Sequence, residues 1–564
     1  MNRTLATTLT LATLLLTACT GTPQPTPTPT TRIETFTASS ERAPRNTPIT
    51  LQWQATNPGT QAGQPSCILT RTIGDDPTET TLRETCGDTL TETPIAPATA
   101  TAVHYQLNVL RQPANATTPY LTETRSITLD PALYATRAGG FGIDYAFAVS
   151  ALPDGSAIVV GSFTGTAQFG GTDLTSAGDR DVFVARIDPN GEWVWATRAG
   201  GGGSDQANAV SALPDGGAII VGRFTGAATF GNKILTSAGS NDIFVAHIDT
   251  DGTWTWATNA GGTGNDVAQS VSARPDGSAI VVGRFSDTAT FDTANLPSDG
   301  GTDVFVARVT PDGNWAWARR AGGDGADEAN AVTALPDGGA IVTGSFSNTA
   351  TFGTTPSLTS AGGTDVFVAR IDASGTWTWA TRAGGDDSDE ANGVSALADG
   401  GALVTGYFFG TAAFGGTDLT SEGLTDTFVA RIGADGVWAW ARRAGGTNYV
   451  EPRGIGTLPD GSAIVTGSFR GTATFGTTNL DAGGFEDAYV ARIDAGGTWT
   501  WARSAGGTNS DDDGAYPHGV SVLADGGAII VGYFGGAATF GNALASTDGG
   551  IDAFVARIGA SGAW

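Results

Sequence analysis

The chain contains few residues of the kinds that most catalytic and metal centres require. Its 564 residues include only 3 His, 3 Cys and 1 Met, and 29 Lys and Arg face 56 Asp and Glu, for a formal charge of −27. Three histidines cannot supply several metal or acid–base centres. Because so negative a chain repels phosphate backbones, nucleic-acid binding is disfavoured as well. Hydrophobic residues make up 40% of the chain, which excludes a disordered acidic tail.

The first 18 residues have the features of an export signal. A basic start at Arg3 precedes an apolar run, Leu5–Leu16, that is too short to span a bilayer, and small residues lead to Cys19. This pattern resembles the lipobox of bacterial lipoproteins, which implies cleavage before Cys19 and lipidation of its thiol, for example with palmitate. An ordinary secretory signal with an incidental cysteine is the alternative. We expect a lipoprotein anchored to the bacterial cell envelope, at the outer membrane or elsewhere, that faces the periplasm or the exterior.

Two further segments precede the repeats. Residues 19–32 are rich in Pro and Thr and are predicted to form an extended linker. Residues 33–130 contain alternating runs that predict antiparallel strands and resemble those of a small immunoglobulin-like β-sandwich, which we interpret as a spacer. In an oxidising compartment Cys67 and Cys86 are predicted to form a disulfide, although they lie too close in sequence for the usual cross-sheet pair. Two free buried thiols are the alternative.

From Tyr134 onward the chain repeats. The motif Trp-Ala-(Thr/Arg)-x-Ala-Gly-Gly, once with Tyr in place of Trp, recurs every 61 or 62 residues. It begins at Tyr134, Trp195, Trp256, Trp317, Trp379, Trp440 and Trp501. Asp-Gly turns between apolar runs indicate hairpins, and four short strands per unit are typical of a propeller blade. In the second unit we predict strands over 208–213, 218–224 with an extension to 230, 242–248 and 254–260.

The two ends of the repeat region are complementary. The last unit stops at Trp564, where earlier units continue into a fourth strand, and a strand of that type stands alone at Tyr134–Gly140. We therefore predict an all-β fold in which residues 131–564 form a seven-bladed β-propeller closed by this N-terminal strand. Segments such as Ala260–Asp266 and Pro275–Gly283 resemble the bacterial β-propeller family of SBBP repeats. That resemblance implies a surface or secreted propeller and carries no catalytic residue set.

Two recurring motifs favour structural roles. The paired tryptophans, such as Trp193 and Trp195, share one face of a strand, and we interpret them as packing between blades, with sugar-binding platforms as the alternative. An aspartate opens the Phe-Val-Ala strand of each unit, as Asp181 does in the first. We expect it to cap turn amides or to pair with the Arg five residues on, such as Arg186 or Arg370.

A second aspartate follows the Gly-Gly pair of several units. Its carboxylates make calcium ligands conceivable, and the weak candidates are Asp205, Asp266, Asp327 and Asp389. No segment fits an EF-hand or a Gly-Gly-x-Gly-x-Asp array. We therefore expect no metal and no cofactor, with calcium as the alternative.

The repeat breaks in one loop of adjacent blades. Unit six has Val450 in place of the second aspartate, and unit seven gains four residues around Asp511. Since propellers bind through rim loops, we predict a ligand patch at one mouth of the central channel, with sequence drift beside the closure as the alternative. Its members are Tyr145, Phe147, Tyr449, Glu451, Arg453, Asp511, Tyr516 and His518.

These features predict a binding or scaffold protein. An enzyme needs a nucleophile or an acid–base set with partners in reach, and the motifs provide none. We expect a monomeric, non-enzymatic module that contacts the membrane through its lipid and takes a protein or glycan ligand, with no nucleic-acid partner. The alternatives are a propeller lipoprotein that assists envelope assembly and a cryptic carbohydrate-active enzyme.

Overall fold

The described part of the chain contains strands and turns only. The computed structural model describes residues 32–38, 42–44, 49–56, 67–73, 80–83, 87–92, 102–110, 120–130, 133–483, 485–507, 514–541 and 543–564. No helix occurs among these residues, so they contain no helical segment that could cross a membrane. The predicted all-β class is confirmed. Two compact bodies separate between Asp130 and Pro131, which we call the N-terminal body and the repeat body.

The N-terminal body consists of two sheets that share a core. The three-stranded sheet runs in the order Arg32–Ala38, Ile49–Thr56, Gly87–Glu92. The five-stranded sheet runs in the order Arg42–Pro44, Tyr120–Asp130, Ala102–Leu110, Cys67–Ile73, Thr80–Arg83. Trp53 and Leu51 of the first sheet pack with Tyr105, Leu107 and Cys67 of the second. The alternating pattern of these strands places one set of side chains in this core.

The described residues of the repeat body form seven groups of four antiparallel strands, which we call sheets one to seven in chain order. The first strands are Tyr145–Ala151, Gln206–Ala212, Val267–Ala273, Asp327–Ala334, Glu390–Ala396, Val450–Thr457 and Ala515–Val522. The second strands are Ala157–Phe163, Ala218–Phe224, Ala279–Phe285, Ala340–Thr351, Ala402–Phe408, Ala463–Phe469 and Ala528–Phe540. The third strands are Asp181–Ile187, Asp242–Ile248, Asp303–Val309, Leu358–Ile371, Asp426–Ile432, Asp487–Ile493 and Ala543–Ile558. The fourth strands are Trp193–Gly201, Trp254–Ala260, Trp315–Gly323, Trp377–Ala383, Trp438–Gly446, Trp499–Ala505 and Ala135–Ala138.

The Asp-Gly turns join first and second strands for a local reason. In sheet two, Gly216 has a φ of 89°, a conformation that glycine adopts without steric cost. The Asp215 carboxylate accepts the Gly217 N–H at 3.0 Å, and the Gly216 N–H donates to the Leu213 carbonyl at 3.0 Å. These bonds close the turn at the register that the sequence predicts.

A short hairpin stands between the second and third strands. In sheet two the extension to Phe230 is a separate strand, Ala227–Phe230, which pairs with Lys233–Thr236. The predicted continuous extension is wrong there because Gly226, with a φ of 70°, turns the chain. The other separate hairpins are Thr166–Phe169 with Thr172–Thr175, Thr288–Phe291 with Ala294–Pro297, Thr411–Phe414 with Thr417–Thr420, and Thr472–Phe475 with Thr478–Asp481. In sheets four and seven the long second and third strands include this hairpin.

Sheet seven combines the two ends of the repeat body. Its fourth strand, Ala135–Ala138, pairs antiparallel with Ala543–Ile558 near the C-terminus. The Arg557 N–H also donates to the Tyr134 carbonyl at 2.8 Å, and Arg137 forms an ion pair of 2.9 Å with buried Asp552. The strand before sheet one thus occupies the place that each other sheet fills with its own tryptophan strand.

The first strands contact one another in cyclic order, from sheet one through sheet seven and back to sheet one. Side-chain hydroxyls connect them. The Ser150 hydroxyl accepts the Ala212 N–H of the next sheet at 2.9 Å, and the Ser521 hydroxyl accepts the Ala151 N–H at 2.9 Å. These bonds occupy backbone amides that face a neighbouring sheet, where an unpaired donor would be costly. We call the end of this ring at which the first strands begin the starting end.

The paired tryptophans connect neighbouring sheets. The Trp254 indole N–H donates to the Arg198 carbonyl of the preceding sheet at 3.2 Å, and Trp256 donates to the Pro311 carbonyl of the following sheet at 2.9 Å. Trp254 also meets the ring of Phe230 edge-on at 5.3 Å. These contacts agree with packing between sheets.

Candidate functional site

An aromatic cluster lies at the starting end, where sheets seven and one meet. Tyr145 contacts Phe147 with ring centroids 5.6 Å apart and meets Tyr533 edge-on at 4.5 Å. Tyr533 stacks on Tyr516 at 4.9 Å and on His518 at 5.4 Å, and His518 meets Phe147 at 5.2 Å. The structure therefore brings together four of the predicted patch residues and adds Tyr533. Stacked aromatic faces of this kind can support a sugar ring or a flat apolar group.

Charged groups border this cluster on the side of sheet six. Arg453 forms an ion pair of 3.3 Å with Glu451, and both side chains keep some exposure. Burial, and to a smaller extent the Arg453 charge, lower the pKa of His518 to about 3. His518 is therefore neutral at physiological pH and serves here as an aromatic ring rather than as a charge.

Tyr449 lies at the edge of the patch in a second group. Its ring faces the Arg470 guanidinium at 5.8 Å, and Arg470 stacks on Phe485 at 3.5 Å. Tyr449 is 38% exposed and Phe485 is 48% exposed. Arg470 also pairs with Glu486 at 3.4 Å. This rim group presents an aromatic surface to solvent.

Three predicted residues lie outside the described part of the chain: the lipidation candidate Cys19, the disulfide candidate Cys86 and the patch residue Asp511. Cys67 is buried in the core of the N-terminal body. The Cys67–Cys86 pair and the lipid at Cys19 stay predictions.

The four weak calcium candidates serve as buried hydrogen-bond acceptors. Asp205, for example, accepts the Gly201 N–H at 2.8 Å and the Thr225 N–H at 3.2 Å. Asp266, Asp327 and Asp389 accept the corresponding glycine N–H at 2.7 Å. Within the described ranges no group of three or more His, Cys, Asp or Glu side chains is placed to hold a metal ion. Each aspartate instead fixes the loop that leads into a first strand.

Two carboxylates converge at several junctions between neighbouring sheets. Between sheets four and five, a Cβ atom at Gly384 would lie 2.7 Å from Asp365 Oδ1 and 2.8 Å from Asp389 Oδ2, so only glycine fits between them. Burial, with a smaller contribution from the Asp365 charge, raises the pKa of Asp389 to about 7 against the hydrogen bonds from Gly385 and Phe409. The equivalent Asp144 and Asp327 also have pKa values of about 7.

We expect this arrangement to make stability depend on pH. Because the folded state raises the Asp389 pKa, its contribution is fully present below the unfolded value near 4 and is lost as the pH rises through about 7. Asp389→Asn, which is neutral throughout, should therefore compare more favourably with the natural chain at pH 8 than at pH 5. Urea unfolding at both values measures this difference.

Asp337→Asn is the matched control. The Gly339 N–H and Arg370 hold the Asp337 pKa below its usual range, so this variant should lose stability relative to the natural chain as the pH rises from 3 to 5. An Asp389→Asn difference that does not change between pH 5 and pH 8 would contradict the raised pKa.

The third-strand aspartates confirm one predicted role and correct another. The Asp181 carboxylate accepts the Ala177 N–H at 2.9 Å, which is the expected turn cap. Its arginine partner is Arg198 at 2.6 Å, on the fourth strand. The predicted pairing with Arg186 is wrong, because that guanidinium pairs with Asp154 in the Asp-Gly turn at 2.8 Å. Arg370 likewise pairs with Asp337.

Sequence reasoning missed three arginines at the starting end: Arg180, Arg223 and Arg284. Arg223 and Arg284 occupy the same position in adjacent second strands, opposite the first residues of their first strands. The equivalent positions in the other sheets hold Ser162, Ser345, Tyr407, Ser468 and Tyr533. An alignment of this second-strand position around the repeats identifies two of the three, Arg223 and Arg284.

Comparison with known proteins gives distant sequence relatives. No family model matches the chain. It is 23% identical over 380 residues to an uncharacterized WD repeat-containing protein of Acanthamoeba polyphaga mimivirus, over 54% of this chain and 27% of that protein. It is 25% identical over 406 residues to the regulatory protein FlaEY of Caulobacter vibrioides, over 67% of this chain and 41% of that protein. The aligned region thus spans less than half of each relative.

Solved structures resemble the chain only distantly. An auxiliary nutrient binding protein from Bacteroides thetaiotaomicron aligns with 77% of this chain and 94% of its own at 11% identity and a TM-score of 0.25. An exotype rhamnogalacturonan lyase aligns with 91% and 88% at 10% identity and a TM-score of 0.30. TM-scores this low support no inference about the fold or function of this chain. The WD-repeat relative and the repeated four-stranded sheets support the class of repeat β-propeller proteins.

Proposed function

We propose that the chain is a lipid-anchored protein of the bacterial cell envelope whose repeat body is a seven-bladed, SBBP-type propeller that binds a ligand without catalysis. The cyclic contacts of the first strands and the pairing of Ala135–Ala138 with the last strand support seven blades and their closure. The export signal, Cys19 and the Pro/Thr-rich linker support the anchor. The N-terminal body fits an Ig-like spacer held by a Cys67–Cys86 disulfide, since two sheets share its core.

One observation carries the binding role: the aromatic cluster stands where the repeat is broken. At the first-strand position where other sheets place an amide side chain, sheets one, six and seven place Phe147, Arg453 and His518. The amides have a structural use, since Asn330 and Asn392 each donate to a carbonyl of the next sheet, at 3.0 and 2.9 Å. Phe147, Arg453 and His518 lack this side-chain amide and place two aromatic rings and one positive charge at the same position. Departures from a repeat scaffold are where propellers and solenoids acquire ligands.

The chemistry of this cluster supports binding rather than catalysis. A general acid or base works best with a pKa near the operating pH, and His518 is far below it. Glu451 and Arg453 form an ion pair with each other, an arrangement suited to hydrogen bonds with a polar ligand beside the rings.

A glycan array and an envelope-fraction pull-down test this proposal. The full chain carrying Cys19→Ala serves as soluble bait, with calcium in one arm and a chelator in the other. Arg453→Ala combined with Tyr516→Ala should weaken binding at least tenfold, because it removes a guanidinium and a stacked ring from the patch. Arg492→Ala is the control, since that arginine pairs with Asp460 in an Asp-Gly turn.

Each outcome has a distinct meaning. Retained binding in the Arg453→Ala, Tyr516→Ala variant contradicts the patch. A captured component of an envelope assembly machine, without a glycan, favours the assembly role instead. Cleavage of a bound glycan contradicts the non-enzymatic role. Absence of any ligand in both arms leaves a passive structural protein and refutes the binding proposal.

A further inference from the structure

Arg180, Arg223 and Arg284 form a positive surface at the starting end, next to the aromatic cluster. Arg180 precedes the third strand of sheet one, and its guanidinium lies 5.2 Å from the centroid of the Tyr145 ring. Arg223 in sheet two and Arg284 in sheet three follow around the ring. The chain has only 29 basic residues against 56 acidic ones, so this grouping opposes the overall charge.

Two of these guanidinium groups have no carboxylate partner among the described residues. Arg284 pairs with Glu328 of the next sheet at 2.5 Å. Arg223 donates to the neutral Gln206 side chain at 3.1 Å, and the ion pairs among described residues include neither Arg223 nor Arg180. Arg223 is also half-buried, and its pKa is lowered first by burial and then by the charges of Arg284 and Arg180. Like charges placed this close together destabilise a fold unless a bound anion offsets their repulsion.

The third-strand arginines near the Asp-Gly turns provide the contrast. Each of them finds a carboxylate: Arg186 with Asp154, Arg308 with Asp276, Arg370 with Asp337, Arg431 with Asp399, Arg492 with Asp460 and Arg557 with Asp525. An acidic chain thus pairs arginine readily where the role is structural. Because no described carboxylate pairs with Arg180 or Arg223, their charges point to an external anion.

We propose that Arg180 and Arg223 bind the carboxylate of an acidic saccharide whose sugar ring lies against Tyr145, with Arg284 completing the positive surface. This inference rests on the proposed binding function and specifies its ligand class. Planar guanidinium groups match a carboxylate with two parallel hydrogen bonds, and an aromatic face accepts the apolar side of a sugar. The net charge of −27 disfavours a ligand with dense negative charge, whereas one carboxylate per sugar can be held locally.

The experiment measures binding of three polysaccharide probes to the full chain carrying Cys19→Ala, by calorimetry at low and at physiological salt. Alginate oligosaccharides carry a carboxylate on each sugar, dextran is neutral, and dextran sulfate carries sulfate. We expect alginate to bind, dextran to bind weakly or not at all, and salt to weaken the alginate affinity. Arg180→Gln with Arg223→Gln should lower that affinity at least tenfold.

Arg308→Gln is the matched control, because it removes the same charge from a paired arginine and should change alginate affinity less than twofold. The Arg180→Gln, Arg223→Gln variant should melt no lower than the parent, since it relieves like-charge crowding, so a loss of binding is not a loss of fold. If this pair does unfold the protein, Tyr145→Leu must weaken alginate binding in its place.

Several results would overturn the inference. Equal affinity for dextran sulfate and alginate would show a general polyanion surface instead of a carboxylate site. Binding of dextran that depends on Arg453 and Tyr516 but not on Arg180 and Arg223 would refute the inference and keep the proposed function. Alginate binding that depends only on Arg180 and Arg223 would keep the inference and refute the Arg453 patch. A protein ligand with no saccharide binding would also refute the inference alone.

Discussion

We expect Cys19→Ala to release the protein almost completely from the membrane fraction. The lipid is attached at this position in the proposed lipoprotein, and a multi-chain anchor binds stably where a single acyl chain, at about 0.8 kcal/mol per buried CH₂ group, binds reversibly. The described residues contain no helix that could replace it as a membrane span. Fractionation of cells that express the two forms, with palmitate labelling, measures the change.

Thr20→Ala is the control for this substitution, since it alters the neighbouring residue and keeps the thiol. It should retain both palmitate label and membrane association. A Cys19→Ala form that remains in the membrane fraction after a high-salt wash would contradict the anchor and favour an ordinary secretory signal with another mode of attachment.

The repeat geometry was predictable because local rules repeat in every unit. Asp215 and Gly216 determine one turn by a side-chain acceptor and a positive φ, and both requirements can be read from residue types. The strand at Ala135–Ala138 could be matched to the end of the chain because its motif is that of the other fourth strands. Neither inference needed a long-range contact to be known beforehand.

Other features depend on contacts that sequence spacing does not reveal. Arg186 lies five residues after Asp181, yet alternation on a strand places the two on opposite faces, and the guanidinium reaches Asp154 of the turn instead. The hairpin at Ala227–Phe230 was missed because an apolar run continues past Phe224 while the backbone turns at Gly226.

The candidate site was predictable where the repeat visibly breaks and not where it changes quietly. Phe147, Arg453 and His518 replace a recurring amide and could be found by aligning one strand. Arg180 and Arg223 replace residues that vary from unit to unit, so their significance appears only when the ring brings sheets one and two side by side. Tyr533 joins the cluster for the same reason, from a second strand in which the residues on either side of it, Gly532 and Phe534, are buried.

Thr136→Pro is expected to open sheet seven and to cost about 2–3 kcal/mol of stability. The bond from the Arg557 N–H to the Tyr134 carbonyl sets the alternation of the ladder, so Thr136 and Val555 form a hydrogen-bonded pair. Proline removes the Thr136 donor and leaves the Val555 carbonyl unpaired at the point where the two ends of the repeat body meet. Thermal unfolding and limited proteolysis should show a lower midpoint and faster cleavage near residues 543–564.

Ala135→Pro is the matched control. Ala135 immediately precedes Thr136 and directs its own N–H away from the ladder, a position at which an edge strand tolerates proline. Both variants introduce a proline side chain, but only Thr136→Pro removes an N–H that donates across the ladder. The difference in stability between them therefore isolates the hydrogen bond from the Thr136 N–H to the Val555 carbonyl. If Thr136→Pro and Ala135→Pro melt together with the natural chain, the pairing of Ala135–Ala138 with the last strand contributes little and the repeat body is held by the contacts among its first strands. If Thr136→Pro alone loses its fold, closure by the N-terminal strand is what makes the seven sheets one cooperative unit.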